Sequence, residues 1–283
     1  MSSALNAVID AKQKQQTGLI KGEKLIRVRN QQLFLGFVSL LTLTFFWWLA
    51  TALQLVPSLF LPSPQSVLNK LYVVSTKGFM DATLLQHISA SLQRIFLALV
   101  AAVILGIPLG IWIGTNKIVR GLLDPLIEIY RPIPPLAYLP LLVIWFGIGE
   151  LTKVLLIFLA VLAPIIISTA HGVASSGNSR KRAALSLGAS PSQLLWHVVL
   201  PGALPDILTG VRIGLGAGWS TLVAAELVAA TRGLGFMVQS AAQFLVTDVV
   251  LLGIVVIAVI AFSIEISLRL LQVYLTPWHG KND

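Results

Sequence analysis

The chain has 283 residues, 56% of them hydrophobic and 11% charged, with a mean hydropathy of +0.87. Soluble domains carry roughly 25% charged residues, so this composition excludes an ordinary soluble enzyme, a disordered tail and a collagen-like fibre; it is that of an integral membrane protein. The formal net charge of +9 is explained by basic cytoplasmic loops and does not call for a nucleic-acid surface, and the absence of Cys removes disulfides, thiolate metal sites and cysteine nucleophiles.

Residues 1–32 are polar, with Lys12, Lys14, Lys21, Lys24, Arg27 and Arg29 set against Asp10 and Glu23. The apolar run over 33–55 is longer than the apolar region of a signal peptide and has no small-residue cleavage site. It is read as a retained first span with a cytoplasmic N-terminus. A spanning helix needs about 20 mostly apolar residues. Five further stretches meet or approach this: 95–116, 132–149, 154–170, 213–231 and 249–271. Six spans place both termini on one side. With the N-terminus inside, the inner segments hold 15 Lys and Arg, and the outer ones five: Lys70, Lys77, Arg94, Lys153 and Arg232. That bias sets the orientation.

The expected organisation is a cytoplasmic segment 1–32, a six-helix membrane domain 33–275 and a cytoplasmic tail 276–283. Two loops are long: a periplasmic one of about 56–93 and a cytoplasmic one of about 171–212. No tandem repeat or inverted pair of halves is present.

The cytoplasmic loop carries the most informative segment. Residues 182–190 read as a short helix stopped at Gly188, which is able to adopt positive φ. Ser190-Pro191-Ser192 then starts a second apolar helix, expected to end at Leu200-Pro201-Gly202. Such an elbow either offers a knob to a soluble partner or packs on its own bundle.

This segment resembles the EAA loop of ABC-importer permeases, with matching positions at Ala183, Ala184, Gly188, Val198, Leu200 and Pro201. Arg182 stands where the motif has Glu, and Val198 where it has Ile. The likeness extends over roughly 35–280, through Phe60-Leu61-Pro62-Ser63-Pro64, Gly78-Phe79-Met80-Asp81-Ala82-Thr83, Tyr130-Arg131-Pro132-Ile133-Pro134-Pro135 and Trp145-Phe146-Gly147-Ile148-Gly149-Glu150. It continues in the run from Gly218 to Glu226, in Thr231-Arg232-Gly233-Leu234-Gly235 and in the tail from Leu275 to Gly280. Together these are similar to the taurine (sulfonate) branch, whose siblings move nitrate, bicarbonate and alkanesulfonates.

The resemblance implies an all-α polytopic membrane protein with six transmembrane helices and the type I ABC-importer permease (MetI-like) fold, in a bacterial inner membrane. It implies that Arg182–Pro201 is the coupling loop, docking on an ATP-binding subunit. It further implies a periplasmic substrate-binding protein, a second permease copy forming a homodimer, and no cofactor on this chain, with ATP and Mg held by the partner ATPase. The subunit would not itself be an enzyme.

Gly106, Gly110 and Gly114 recur at i, i+4, i+8, as do Gly210, Gly214 and Gly218. Such small faces suit close helix packing within the chain or a dimer contact. No phosphate-binding G-x-x-x-x-G-K-[ST] motif occurs.

Ionisable groups inside the bilayer are costly and count as functional candidates. Glu128 and Arg131, three apart, share a helical face and could neutralise each other. Pro132, Pro134 and Pro135 then bar regular helix. Trp219, Ser220, Thr221 and Glu226 lie either along a translocation path or, for Glu226, in a structural bond to a neighbouring helix. An anionic sulfonate would not seek Glu226, so it is read as a gate or structural element. His87, His171, His197 and His279 are scattered, and no metal site or hydrolytic nucleophile is expected. An ion-coupled secondary transporter using Glu128, Arg131 and Glu226 is the competing reading.

Overall fold

Residues 34–278 are described in a computed structural model of the chain. The basic segment 1–32 and the tail residues His279, Gly280 and Lys281 lie outside the described residues. The chain divides into two compact units between Gln65 and Ser66. In the first, α1 (Phe34–Ala52) is apolar over 19 residues, enough for one crossing, and the Trp47 indole donates to the Pro62 carbonyl at 3.0 Å.

The boundary falls in the first turn of α2 (Pro64–Thr76), which from Ser66 on belongs to the second unit. A tight turn follows, in which Phe79 and Ala82 exchange backbone hydrogen bonds of 2.7 and 3.3 Å while Met80 and Asp81 both take positive φ. Thr83 caps α3 (Leu84–Thr115) in a capping box with Gln86. This start lies well before the expected position of 95, so much of the proposed 56–93 loop is helix. At 32 residues, α3 overshoots a hydrocarbon core of about 30 Å.

After α4 (Lys117–Tyr130) come a 3₁₀ turn (Pro135–Tyr138) and α5 (Leu139–Phe146). The third expected span, 132–149, is therefore not a single helix. Pro132, Pro134 and Pro135 stop α4 and restart the chain at 89° to it, because each lacks an N–H and its predecessor disfavours helix. The remaining elements are α6 (Glu150–Ser175), α7 (Asn178–Ser186), α8 (Pro191–Leu194), α9 (Leu200–Ala229), α10 (Leu234–Gln243) and α11 (Thr247–Leu275). Among the described residues five helices are long and apolar enough to span, or six if the bent pair counts as one.

The glycine stripes give the core its register. A Cβ on Gly106, Gly110 or Gly114 would meet Ile165, Thr169 or Val173 at 2.5–2.9 Å, so α3 and α6 lie parallel and close. On α9, Gly210 faces Ser168 at 2.6 Å, and Gly214 and Gly218 both face Val161, which sets α9 antiparallel to α6. Both stripes thus pack within the chain. Because α3 and α6 run the same way, the bent α4–α5 pair must carry the chain back between them. Ile95, Ala98, Ala102, Ile157, Val161, Ile165, Leu215, Trp219 and Leu222 fill this three-helix core.

Gly110→Val should push α3 off α6, since its Cβ would sit 2.5 Å from the Thr169 Cβ and 2.8 Å from the Ile166 carbonyl oxygen. The expected loss is about 1–3 kcal/mol, read as a lower unfolding midpoint in detergent. Gly216→Ala, with nothing within 4 Å of its added Cβ, should be neutral.

Candidate functional site

The elbow is built from local rules. The C-terminus of α7 closes as a Schellman motif: Ala189 N–H donates to the Ala184 carbonyl at 3.1 Å and Gly188 N–H to that of Leu185 at 3.0 Å, with Gly188 at φ +84°. Ser190 then caps α8 in a capping box with Gln193, and Pro191 occupies the first turn.

The second elbow helix does not end at Leu200-Pro201-Gly202 as expected. It passes through a π-turn (Leu195–Val199) straight into α9. A regular helix would set the Pro201 ring against the carbonyl four residues back; the wider turn relieves that clash. The loop proper is therefore shorter than 171–212.

Val199, Ala203 and Ile207 pack with Val173 and root the elbow in the bundle, and Lys181 donates to the Val173 carbonyl at 3.1 Å. Its tip remains outside: Leu187 is 89% exposed and Trp196 65%. Arg182, Ala183 and Gly188 are exposed, while Ala184, Val198, Leu200 and Pro201 are half-buried at its base.

At the opposite end of the bundle lies a buried charge cluster. The Arg94 guanidinium clamps Glu150 through Nε at 2.6 Å and Nη2 at 2.9 Å. Its Nη1 donates to Glu226 Oε1 at 2.5 Å and to the Arg232 carbonyl at 2.7 Å. Lys153 Nζ reaches Glu150 at 2.7 Å. Two cations and two carboxylates balance, which limits the cost of holding them in a low-dielectric interior.

Glu226 is fully buried and also accepts from Ser91 Oγ at 2.8 Å and from the Gly235 N–H at 2.8 Å. The Leu234 N–H donates to Ser91 Oγ at 2.9 Å. These bonds satisfy free N–H groups at the start of α10. Gly233 N–H donates to His87 Nδ1 at 3.2 Å, so Nε2 holds the proton facing the Phe79 carbonyl at 3.0 Å. Gly233 sits so tightly here, at φ +139°, that an added Cβ would run into the Glu226 carboxylate.

Glu226 therefore bonds neighbouring helices, the structural alternative of the two readings. Arg94, Ser91, His87 and Lys153 were missed as partners because Arg94 and Lys153 were counted as outer-loop charges. The Thr83-x-x-Gln86 capping box was the available signal that Arg94 lies inside a helix.

The other path candidates separate into two groups. Trp219 sits in the three-helix core, and Thr221 is buried with its hydroxyl on the Ala217 carbonyl. Ser220 is exposed and, by helical spacing, shares a face with Ile213 and Ala217.

That face lines a cavity of about 250 Å³ with Tyr130, Arg131 and Ser168. The Tyr130 hydroxyl donates to the Leu159 carbonyl. A second cavity of about 210 Å³ holds Arg120, Asp124, Glu128 and Arg131. Arg131 lines both cavities. Arg120 and Asp124 approach to 4.0 Å. The ion pair that spacing allows between Glu128 and Arg131 is not formed: both are exposed, and among the described residues neither has an opposite charge within 4.0 Å. Glu128 lines only the second of these cavities. No cluster of three His, Cys, Asp or Glu suited to a metal occurs among the described residues.

Comparison with known proteins places this architecture. The chain is 64% identical over 253 residues to the taurine transport system permease protein TauC of Escherichia coli (strain K12), covering 89% of this chain and 92% of that protein. It is 31% identical over 226 residues to the nitrate import permease protein NrtB of Synechocystis sp., covering 78% and 82%. Its fold matches the MetNI methionine ABC transporter in inward facing conformations with a TM-score of 0.62 at 19% identity, over 68% of this chain and 96% of that one. The fold is thus the type I importer permease fold. Residues 106–278, from the glycine stripe of α3 through the bent pair, the elbow and α11, match the model of the binding-protein-dependent transport system inner membrane component, and the chain belongs to that family.

Proposed function

We propose that this chain is the pore-forming permease subunit of an ATP-driven importer for taurine or a closely related sulfonate. The 64% identity to TauC along 253 residues carries this reading. The chain is a membrane subunit and not an enzyme; ATP, with Mg, is bound and hydrolysed by a separate subunit, and a substrate-binding protein delivers the solute.

Two copies enclose the pathway, with the exposed faces of α4, α5 and α9 turned toward it. Both termini and the elbow lie in the cytoplasm, as the excess of basic residues in the segments on that side favours even with the buried Arg94 and Lys153 set aside. The exposed tip at Leu187 docks on the ATPase, and closure of the paired ATPases moves the elbows and rocks the bundles about the cavities near Arg131. Membership of a binding-protein-dependent family leaves the ion-coupled alternative without support.

A second reading is import of aliphatic sulfonates, nitrate or bicarbonate; the likeness to NrtB, a nitrate import permease protein, supports nitrate among them. The test is uptake into proteoliposomes holding the permease, its ATPase and its binding protein. Taurine uptake is expected to require ATP and to ignore collapse of the ion gradient at constant ATP. Uptake by vesicles with this chain alone would overturn the importer mechanism. Nitrate or bicarbonate stimulation of the ATPase without taurine stimulation would move the assignment to that branch.

A further inference from the structure

We infer that Arg131 and Glu128 form a dipolar slot, in which Arg131 holds the sulfonate of a short aminoalkanesulfonate and Glu128 its ammonium group. This rests on the reading of the chain as a permease and assigns chemistry to two cavities that share Arg131 in their lining. Their charged lining consists of Arg120, Asp124, Glu128 and Arg131. Arg120 and Asp124 approach each other at 4.0 Å, whereas Glu128 and Arg131 have no opposite charge within that distance among the described residues. One cation, which lines both cavities, and one carboxylate, which lines the second, therefore remain open.

The neutral groups fit the same ligand. In the cavity of about 250 Å³ the Ser168 hydroxyl has no hydrogen bond among the described residues and can donate to a sulfonate oxygen. The Tyr130 hydroxyl is held by the Leu159 carbonyl, so the ring forms a fixed wall. A guanidinium presents several N–H groups to an oxyanion, and a volume of about 250 Å³ admits a solute of this size with water.

The slot explains how a chain that passes an anion can keep a free carboxylate in its path. A simple alkanesulfonate would gain from Arg131 only, while a zwitterion gains from both charges. The pathway thereby adds discrimination to whatever the binding protein selects. The slot must also release its ligand, and exposed charges in a partly hydrated cleft bind weakly enough for that.

Because the chain has no Cys, Ser168→Cys supplies its single thiol. The assembled complex carrying this substitution is treated with methanethiosulfonates bearing an ethylsulfonate or an ethyltrimethylammonium arm, and labelling of this chain is followed by mass. The anionic reagent is expected to react faster than the cationic one by about tenfold after correction for free thiol, the scale of one nearby charge. Arg131→Gln should abolish that preference.

Taurine should protect the thiol better than ethanesulfonate does, and the two should protect equally in Glu128→Gln. An unchanged reagent preference in Arg131→Gln, or unchanged taurine advantage in Glu128→Gln, overturns the slot. Absence of ATP-driven taurine uptake by the unsubstituted complex would instead defeat the permease assignment, so the two failures are distinguishable.

Discussion

Replacing Arg94 by Leu is expected to lower the stability of the folded chain by ~3–5 kcal/mol, the usual cost of removing one partner from a buried ion pair. The Arg94 side chain is only 5% exposed and that of Glu226 is wholly buried. Without Arg94 the Glu226 carboxylate keeps Ser91 and Gly235 as donors but loses the one cation within 4.0 Å of it among the described residues. The Arg232 carbonyl also loses its donor, loosening the turn that leads into α10.

Glu226→Leu should cost a comparable amount, through Arg94 and the start of α10. The double variant should cost less than the two single losses added together, because each deletion removes the charge that the other strands. Unfolding midpoints of the purified chain in detergent measure all three. Strictly additive losses, or an Arg94→Leu variant as stable as the parent, would refute the cluster as the tie between α3, α6 and α9.

The second large effect is expected at Gly188, where Val should detach the ATPase while leaving the chain inserted. At φ +84° a β-branched residue is strained, yet nothing lies within 4 Å of an added Cβ. The penalty is therefore one of backbone conformation, roughly 1–2 kcal/mol or more, and it falls on the elbow alone. Loss of the Schellman closure would redirect Leu187 and reduce co-purification of the ATPase by about tenfold, the equivalent of 1.4 kcal/mol. Asn, which tolerates this conformation, should retain most of the binding. Undiminished co-purification with the Val variant would sink the docking role.

Local chemistry made several features legible in advance. Gly188, Ser190 and Pro191 announced the elbow because helix caps depend on adjacent residues. The i, i+4 glycine stripes announced close packing because they recur at the helical period. Pro132, Pro134 and Pro135 announced an interruption, although neither its 89° bend nor its pairing of α4 with α5 across one crossing could be read from composition.

Hydropathy misled at charged positions. Arg94 and Lys153 looked like loop residues, and Leu200-Pro201-Gly202 looked like a terminus that the π-turn lets the chain pass through. Trp219, Thr221 and Glu226 formed a plausible path as a linear run, but a helix turns successive side chains to different faces. Only Ser220 shares the face that lines the cavity.

What the sequence determined by itself was the membrane class, the approximate number of crossings and the elbow. These follow from transfer free energies and short-range backbone preferences, which act residue by residue. The tertiary structure decided which charges meet. Arg94 and Glu226 are 132 positions apart, and only the antiparallel packing of α9 with α3 and α6 brings them to one end of the bundle. The same packing leaves Glu128 and Arg131 open, although their spacing of three had promised a pair. In a low-dielectric interior a charge is tolerated only beside its complement, and where that complement lies depends on helix packing over the whole chain.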